Sequence, residues 1–412
     1  MKFRLTAVIV LALCLSNAFA DEGMWLLGNL KKNKQTDRVM RELGLQMPVN
    51  KLYNPKKPCL ADAVVSFGGF CSGVVVSEDG LVFTNHHCGF SSIQQHSSVE
   101  HDYLKDGFVA RSLEEELPNP ELYVRFLLRT ENVTKRVLSA AKHAKTESER
   151  RVAVDSVMNV IGMEVSEKDS TLTGIVDAYY AGNEFWLSVY RDYNDVRLVF
   201  APPSSVGKFG WDTDNWMWPR HTGDFSVFRV YAGPDNKPAD YAPENRPYKA
   251  DKFLKVSVDG YKEGDFAMIM GFPGSTSRYM TSFEIDRMLD IENPQRIFIR
   301  GERQAILKED MAASDKVRIQ YASKYAQSSN YWKNSIGMSR GIRKLNVKAQ
   351  KEAQEAAFRK WAEANTLPTE GYMDALDRIR EAVEGNASAF AAEQVLREAL
   401  YRAVEILTPA RS

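Results

Sequence analysis

Short apolar stretches rich in β-branched and aromatic residues recur over the first two thirds of the chain, and they are typical of β-strands. The stretches 73–76 and 81–84 flank Ser77-Glu78-Asp79-Gly80, whose Asp-Gly pair is a strong signal for a hairpin turn. Because turns join many strands and few helices cross between them, the pattern favours an antiparallel β-barrel over a parallel sheet. Further strands are expected at 63–67, 122–128, 174–180, 185–190, 196–200, 224–231, 253–258 and 266–270.

Two other regions follow a helical pattern. Between about Thr134 and Met163, Lys, Ala, Glu and Arg dominate and apolar residues recur at roughly helical spacing, which predicts helices inserted between strands. From Thr276 onward the chain is helical in character, and Asn293 followed by Pro294 is expected to begin a helix. The predicted fold is mixed β and α: an antiparallel β-barrel with a helical insertion at 21–275, then an α-helical domain at 276–412.

The first residues are typical of a secretory signal peptide. Lys2 and Arg4 precede an apolar run, and Ala18-Phe19-Ala20 provides a cleavage site that assigns residues 1–20 to the signal. A lipoprotein signal at Cys14 is less favoured, because Leu rather than a small residue precedes that cysteine. We therefore expect an exported protein of the periplasm or cell surface.

Composition excludes several classes of function. The chain has 412 residues with 54 basic and 54 acidic side chains, so its charge gives no reason to expect nucleic-acid binding. No stretch after the signal is long and apolar enough to predict a membrane span. The sequence contains no glycine-rich phosphate loop and no set of cysteines at metal-binding spacing. We expect neither a cofactor nor a metal.

A candidate general base follows the predicted strand 81–84, where the chain reads Thr84-Asn85-His86-His87-Cys88. A strand that ends in Thr-Asn-x-His is how chymotrypsin-type serine proteases present a histidine that takes a proton from a hydroxyl. We interpret His87 as this base. Adjacent residues on a strand face opposite sides, so we expect His86 to point away, and a His-His-Cys metal site is disfavoured.

A carboxylate at the start of a strand can point at an imidazole and fix its tautomer. Asp224 precedes the apolar run that ends at Tyr231, and we predict that it orients His87. Asp212 and Asp214 are competing candidates.

The stretch Gly207 to Phe225, called the tryptophan loop below, contains three of the seven tryptophans beside acids, an arginine and a histidine. Large rings mixed with polar groups favour the wall of a binding pocket, because a core would have to satisfy every polar atom. The alternative is a tryptophan-rich core loop.

Together, four segments resemble the bacterial dipeptidyl-peptidase 7 and dipeptidyl-peptidase 11 family of serine exopeptidases. The resemblance implies a double β-barrel of chymotrypsin type with a helical domain, usually dimeric, that releases dipeptides from the free N-termini of oligopeptides. The segments are 84–89, 205–210, 214–225 and 271–276, and the run from Asn215 to Asp224 is long and specific.

Mapped onto this sequence, the resemblance implies that His87 is the base and Asp224 its orienting acid. It implies that Asn215, Trp216 and, less directly, Asn330 bind the substrate α-ammonium. By its sequence alone, Asn330 is a solvated polar residue in a helical region.

The resemblance also bears on the cysteines. Chymotrypsin-like proteases commonly join the loop of the catalytic histidine to the preceding strand by a disulfide, which implies a Cys71–Cys88 bond. Three free buried thiols are the alternative. Cys59 has no predicted role.

The nucleophilic serine of the family lies in a Gly-Asn-Ser-Gly type of loop in the second barrel, and no serine of this sequence has those surroundings. Gly274-Ser275 is interpreted as a strand exit, because no second glycine follows it. We therefore expect the second barrel to be absent, the helical domain to be truncated, and the isolated chain to be inactive as a peptidase. The alternative is a non-catalytic periplasmic peptide-binding protein that keeps the N-terminus-recognising cleft.

Overall fold

The computed structural model describes residues 25–30, 34–275, 277 and 279–402. The predicted signal peptide, residues 1–20, lies outside the described residues. The rest divides into two compact units. The first consists of the described residues of Met1–Ala63, Phe126–Arg191 and Val256–Met270; the second consists of those of Val64–Arg125, Asp192–Lys255 and Gly271–Ser412.

The strands within the described residues are short, apart from three longer ones in the middle of the chain. They are β1 (Val64–Phe67), β2 (Cys71–Val75), β3 (Leu81–Thr84), β4 (Phe108–Val109), β5 (Leu117–Pro118), β6 (Val124–Asn132), β7 (Leu172–Tyr179), β8 (Glu184–Tyr193), β9 (Asp195–Ala201), β10 (Ser226–Ala232) and β11 (Arg246–Pro247).

Six of the α-helices in the described residues lie after residue 281. They are α1 (Lys34–Glu42), α2 (Val49–Leu52), α3 (His86–Gln95), α4 (Tyr103–Asp106), α5 (Thr134–Ala140), α6 (Glu147–Lys168), α7 (Ser204–Gly207), α8 (Trp211–Asp214), α9 (Ser282–Arg287), α10 (Asn293–Ala313), α11 (Asp315–Lys344), α12 (Val347–Asn365), α13 (Ala375–Gly385) and α14 (Ala387–Leu396).

The second unit contains an antiparallel sheet with the strand order β4-β9-β10-β3-β2-β1; β5 also pairs with β9, and β11 with β10. One face of this sheet is apolar and fully buried, and the rings of Phe67 and Phe228 pack with centroids 4.8 Å apart. The predicted β2–β3 hairpin is present. Gly80 closes it with φ +69°, and a side chain there would meet the carbonyl oxygen of Val230 at 2.9 Å.

The first unit contains the helices predicted between strands. There β7 and β8 form a long antiparallel pair, and α5 and α6 share a buried apolar cluster with them. Gly162 of α6 lies so close to β7 that a Cβ atom would be 2.6 Å from the carbonyl oxygen of Gly174. The helical insertion therefore packs on a strand pair by direct backbone approach.

The helical region begins earlier than Asn293. Thr281 caps α9, since its hydroxyl accepts from the backbone N–H of Glu284 while the Glu284 carboxylate accepts from Thr281 in return. The chain then continues through a π-helical turn, Met288–Glu292, directly into α10. The α10 helix begins at Asn293 as predicted, but Asn293 does not cap it, because the π-helical turn runs directly into this residue. Its backbone is already helical, and its side chain donates to Ser339 Oγ at 2.9 Å.

Two further predicted strands, 253–258 and 266–270, are not strands in the structure. A strand needs a ladder of backbone hydrogen bonds. Within 253–258 the bond from Leu254 N–H to Val75 O, at 2.9 Å, stands outside any ladder. Val258 and Ile269 are almost fully exposed, whereas Phe266 and Met270 pack partly buried against a small apolar cluster.

The expectation of a mixed β and α chain, with an antiparallel sheet and a following helical region, is confirmed. Among the described helices, none combines the length and the apolar character that crossing a membrane requires.

Buried ion pairs join α10 to the end of the described chain. Arg300 Nε lies 2.7 Å from Glu398 Oε2, and Arg296 Nε lies 3.4 Å from Glu398 Oε1. Arg300 and Glu398 are only 5% and 2% exposed. Removing one partner from such a pair leaves a buried charge without compensation.

We therefore expect Glu398→Gln to lower the free energy of unfolding by about 3 kcal/mol. Glu393→Gln is the matched control, because Glu393 lies on the same helical segment and pairs with Arg397 at the surface; its midpoint should stay close to that of the unmodified protein. Urea denaturation of the three proteins measures both values. Equal losses in the two variants would contradict this account of the buried pair.

Candidate active site

The β3 strand ends at Thr84, whose hydroxyl donates to the carbonyl oxygen of Ser72 at 2.8 Å. Asn85 is extended, and α3 begins at His86. The two histidines therefore lie in the first turn of a helix, not on a strand as expected, and successive helical residues point about 100° apart. His86 is fully buried, whereas the side chain of His87 is 65% exposed.

Asp224 holds His87 by two hydrogen bonds. Its Oδ2 lies 2.7 Å from Nδ1 of the imidazole, and its Oδ1 accepts from the backbone N–H of His87 at 3.0 Å. The first N–H groups of a helix have no partner within the helix, so this carboxylate caps α3 as well as binding the ring. With Nδ1 paired to a carboxylate, Nε2 on the other side of the ring is the nitrogen left to accept a proton.

Pairing between β3 and β10 brings these distant residues together. Ser226 lies opposite Thr84 in the register, and its hydroxyl donates to the carbonyl oxygen of Asn85 at 2.9 Å. Asn85 Nδ2 in turn donates to the backbone oxygen and to Oδ2 of Asp224, at 3.1 and 3.2 Å. The carboxylate is thus held in one orientation by several donors, and the role of Asn85 was not apparent from the sequence.

The charge state of Asp224 follows from these contacts. Burial opposes its ionisation, but the hydrogen bonds and charge of His87 outweigh burial and hold the pKa of the carboxyl below its ordinary value. Asp224 is therefore an anion across the neutral range. The competing Asp212 is engaged elsewhere, since it accepts from Tyr325 and Ser329.

His86 occupies an apolar position behind the site. Neither ring nitrogen has a hydrogen-bond partner within the described residues, and the ring packs edge-on against Phe90. A Cβ atom on Gly207 would lie 2.4 Å from the imidazole Cδ2 atom. Burial lowers the pKa of His86 to about 4, and the positive charge of Lys208 acts in the same direction. His86 is therefore neutral at neutral pH.

Lys208 is a partly buried cationic group that sequence reasoning missed. Its Nζ lies 4.7 Å from the ring centroid of Phe90 and 5.2 Å from that of Trp211. Burial lowers the pKa of this amine, while Asp212 and Asp224 oppose the shift. Lys208 thus places a cation, stabilised by aromatic faces, near the carboxylates of Asp212 and Asp224.

Cys71 and Cys88 are joined by a disulfide that connects β2 to α3, whereas Cys59 is a buried free thiol. The two disulfide sulfurs and a ring nitrogen of His87 lie within 4.8 Å of one another. A disulfide offers no thiolate, so this group lacks the anionic sulfur ligands of a metal site.

The tryptophan loop is not a core element, because its rings reach the surface. Trp211, Trp216 and Trp218 are 57%, 52% and 92% exposed. Trp211 and Trp216 both have positive φ, at 43° and 58°, a conformation that costs energy for residues other than glycine. Such a conformation persists only where surrounding contacts hold it.

Asn215, Trp216 and Asn330, called the amide cluster below, lie together. Asn330 Oδ1 accepts from Asn215 Nδ2 at 3.1 Å and from Trp216 Nε1 at 2.9 Å. Arg220 donates to Asn215 Oδ1 at 3.2 Å. Asn330 lies on α11, more than a hundred residues from the loop, so the sequence pattern alone made it a solvated residue; the resemblance put it with the other two.

The environment of His86 predicts how stability depends on pH. The unfolded chain binds a proton at this residue near its ordinary pKa of 6.5, whereas the folded protein resists protonation down to about 4. Acidification across that window therefore favours the unfolded state.

When the pH is lowered from about 7.5 to about 5, the free energy of unfolding should fall in both the unmodified protein and His86→Gln. The fall should be about 2 kcal/mol larger in the unmodified protein. His143→Gln, at an exposed histidine, serves as the control and should behave like the unmodified protein. Urea unfolding at both pH values measures the difference. The same pH dependence in His86→Gln and in the unmodified protein would refute this role for His86.

Comparison with known proteins gives a consistent result. The family model described as Peptidase S46 matches residues 20–412. Dipeptidyl-peptidase 7 of Porphyromonas endodontalis is 50% identical over 414 residues, with 100% of this chain and 50% of that protein covered. An Asp/Glu-specific dipeptidyl-peptidase of the same organism is 41% identical over 411 residues, covering 98% of this chain and 57% of that protein.

The fold agrees with solved structures as well. The crystal structure of Porphyromonas endodontalis DPP11 in complex with the dipeptide Arg-Glu matches with a TM-score of 0.87 at 40% identity, covering 94% of this chain and 55% of that chain. The chain spans about half the length of the curated relatives it matches. The resemblance found in the sequence is confirmed: the chain belongs to the peptidase S46 family.

Proposed function

We propose that this chain carries the general base and the N-terminus-binding residues of a serine-type dipeptidyl-peptidase, which releases dipeptides from the free N-termini of oligopeptides. The single observation that carries the proposal is the His87–Asp224 pair, with Nδ1 and Oδ2 2.7 Å apart and the ring 65% exposed. The names of the relatives, all dipeptidyl-peptidases among those described above, support the same activity.

In the proposed reaction His87 Nε2 takes the proton from a serine hydroxyl as that oxygen attacks the peptide carbonyl. The resulting imidazolium is stabilised by Asp224, which stays ionised because its pKa is lowered. His87 then returns the proton to the leaving amine. Within the described residues no hydrogen bond links a serine to His87 Nε2, and the nucleophile is proposed as a serine without an assigned position.

Recognition of the substrate N-terminus is assigned to the amide cluster. Amide oxygens accept hydrogen bonds from an α-ammonium, and an indole face attracts a cation. Asn330 Oδ1 already accepts two N–H groups, whereas Asn215 Oδ1 accepts one, from Arg220. We propose Asn215 Oδ1 and the face of Trp216 as the first contacts of the ammonium. An anchored N-terminus would set the cleaved bond two residues in.

Three further expectations belong to this proposal. The sheet next to His87 is proposed to be part of a chymotrypsin-type barrel, because β3 ends just before His87 and the neighbouring β10 begins just after Asp224. A location in the periplasm or at the cell surface is supported by the Cys71–Cys88 disulfide, since such bonds persist in oxidising compartments. A homodimer is proposed from the resemblance.

Activity should depend on the base and its acid. In the protein at its natural full length, we expect His87→Ala to lower kcat by about 10³-fold or more, and Asp224→Asn by a comparable factor, because the triad acts as a unit. Asp214→Asn should stay within about twofold. The assay is release of dipeptides from unblocked peptides. Undiminished release by His87→Ala would exclude this residue as the base.

Binding should require a free amine. By calorimetry, a short peptide should bind at least about tenfold more tightly than its N-acetylated form, and Asn215→Ala should abolish the difference. Equal affinity of the unmodified protein for both peptides would reject an ammonium site. Selective binding without any hydrolysis by the full-length protein would instead favour the peptide-binding alternative.

A further inference from the structure

Asp212 joins the tryptophan loop to α11 through side chains. Its Oδ2 accepts from the Tyr325 hydroxyl at 2.7 Å, and its Oδ1 accepts from the hydroxyl of Ser329. Hydrogen bonds from a hydroxyl to a carboxylate are roughly twice as strong as those between neutral groups. Ser329 directly precedes Asn330 in the chain. Its hydrogen bond to Asp212 therefore fixes the tryptophan loop at the point on α11 where the amide cluster begins.

The Tyr325 hydroxyl remains protonated, and so remains a hydrogen-bond donor, when the pH changes. Burial raises the pKa of the Tyr325 hydroxyl, and the hydrogen bond to Asp212 raises it further. The phenol therefore keeps its proton throughout the neutral and mildly alkaline range, and it remains a donor to Asp212.

The loop follows the same helix beyond Asp212. Trp216 approaches Gly337 so closely that a Cβ atom there would lie 3.3 Å from the Trp216 carbonyl oxygen. Arg340 Nη2 then lies 2.7 Å from Met217 Sδ. From Tyr325 to Arg340 these contacts extend over about 22 Å of α11.

The backbone of the tryptophan loop is strained at two residues of this segment. Trp211 and Trp216, on either side of Asp212, have positive φ values of 43° and 58°. Residues with side chains pay roughly 1 kcal/mol or more for that conformation, and it persists only where surrounding contacts hold it. Asp212 lies between the two strained residues and provides two strong hydrogen bonds to the helix.

Resting on the function proposed above, we infer that Asp212 is a positioning residue for the amide cluster. It holds Asn215 and Trp216 of the loop against Asn330 of α11, so that the three side chains form one site for the substrate ammonium. Asp212 itself is engaged by Tyr325 and Ser329 and does not act on the substrate. Its loss should weaken recognition of the free N-terminus while leaving the base and acid intact.

The test uses Asp212→Ala in the protein at its natural full length, with Asp214→Asn as the matched control. Asp214 lies on the same short helix and, within the described contacts, donates and accepts no side-chain hydrogen bond with α11. We expect Asp212→Ala to raise KM for unblocked peptides on the order of tenfold, with kcat changed by less than about threefold. Asp214→Asn should leave both constants near those of the unmodified protein.

A second measurement needs no substrate. The indole N–H resonance of Trp216, assigned with Trp216→Phe, reports its hydrogen bond to Asn330 Oδ1. It should shift or broaden in Asp212→Ala and stay in place in Asp214→Asn. Should Asp212→Ala fail to fold, Ser329→Ala removes one of the two donors and should shift the same resonance.

The results distinguish failure of the positioning role of Asp212 from failure of the proposed dipeptidyl-peptidase function. An unchanged Trp216 resonance together with an unchanged KM in Asp212→Ala would overturn the positioning role. Equal loss of kcat and kcat/KM would also overturn it, since that pattern indicates damage to the catalytic pair. If the unmodified protein failed to distinguish free from acetylated peptides, the proposed function would fail, and the indole resonance would still decide what Asp212 does.

Discussion

The carboxylate of Asp224 is the group on which the candidate site depends. One oxygen caps the start of α3, and the other binds the imidazole of His87, so the same side chain fixes both the backbone and the ring of His87. Neither contact exists unless β10 pairs with β3, because the two residues are far apart in the chain. The pairing of β3 with β10 therefore brings His87 and Asp224 together, and its register determines which carboxylate lies next to which histidine.

Burial then assigns different roles to two adjacent histidines. The first turn of a helix directs one ring inward and the next toward solvent. His86 is locked neutral against Gly207 and Phe90, while His87 keeps an open edge. The same local geometry that makes His86 a packing residue leaves His87 free to exchange protons. Two identical side chains acquire separate properties because they lie in the first turn of a helix and not, as the sequence pattern indicated, on a strand.

How far the sequence could predict this site depends on how local each feature is. The β2–β3 hairpin and the carboxylate of Asp224 follow from short patterns, and both lie in the expected place. The start of α3 at His86 could not be foreseen, because an apolar run into two histidines looks like a continuing strand until Asp224 is known to cap it. The strands expected at 253–258 and 266–270 failed for a related reason: strand propensity has no effect without a partner for the ladder. Asn330 and Asp212 depend on contacts between the tryptophan loop and α11, and no local pattern reports such a contact.

Gly207 limits which changes in the length of the following segment the protein can accept. Its missing side chain lets the chain press against His86, and only a short run of residues then leads to Asn215 in the amide cluster. The separation between the histidine pair and the amide cluster is thus limited by the covalent length of one segment that is fixed at both ends. Under the proposed function, an insertion or deletion there would move Asn215 relative to His87 and change the length of the released peptide. This segment can therefore absorb changes of length less well than surface loops usually do.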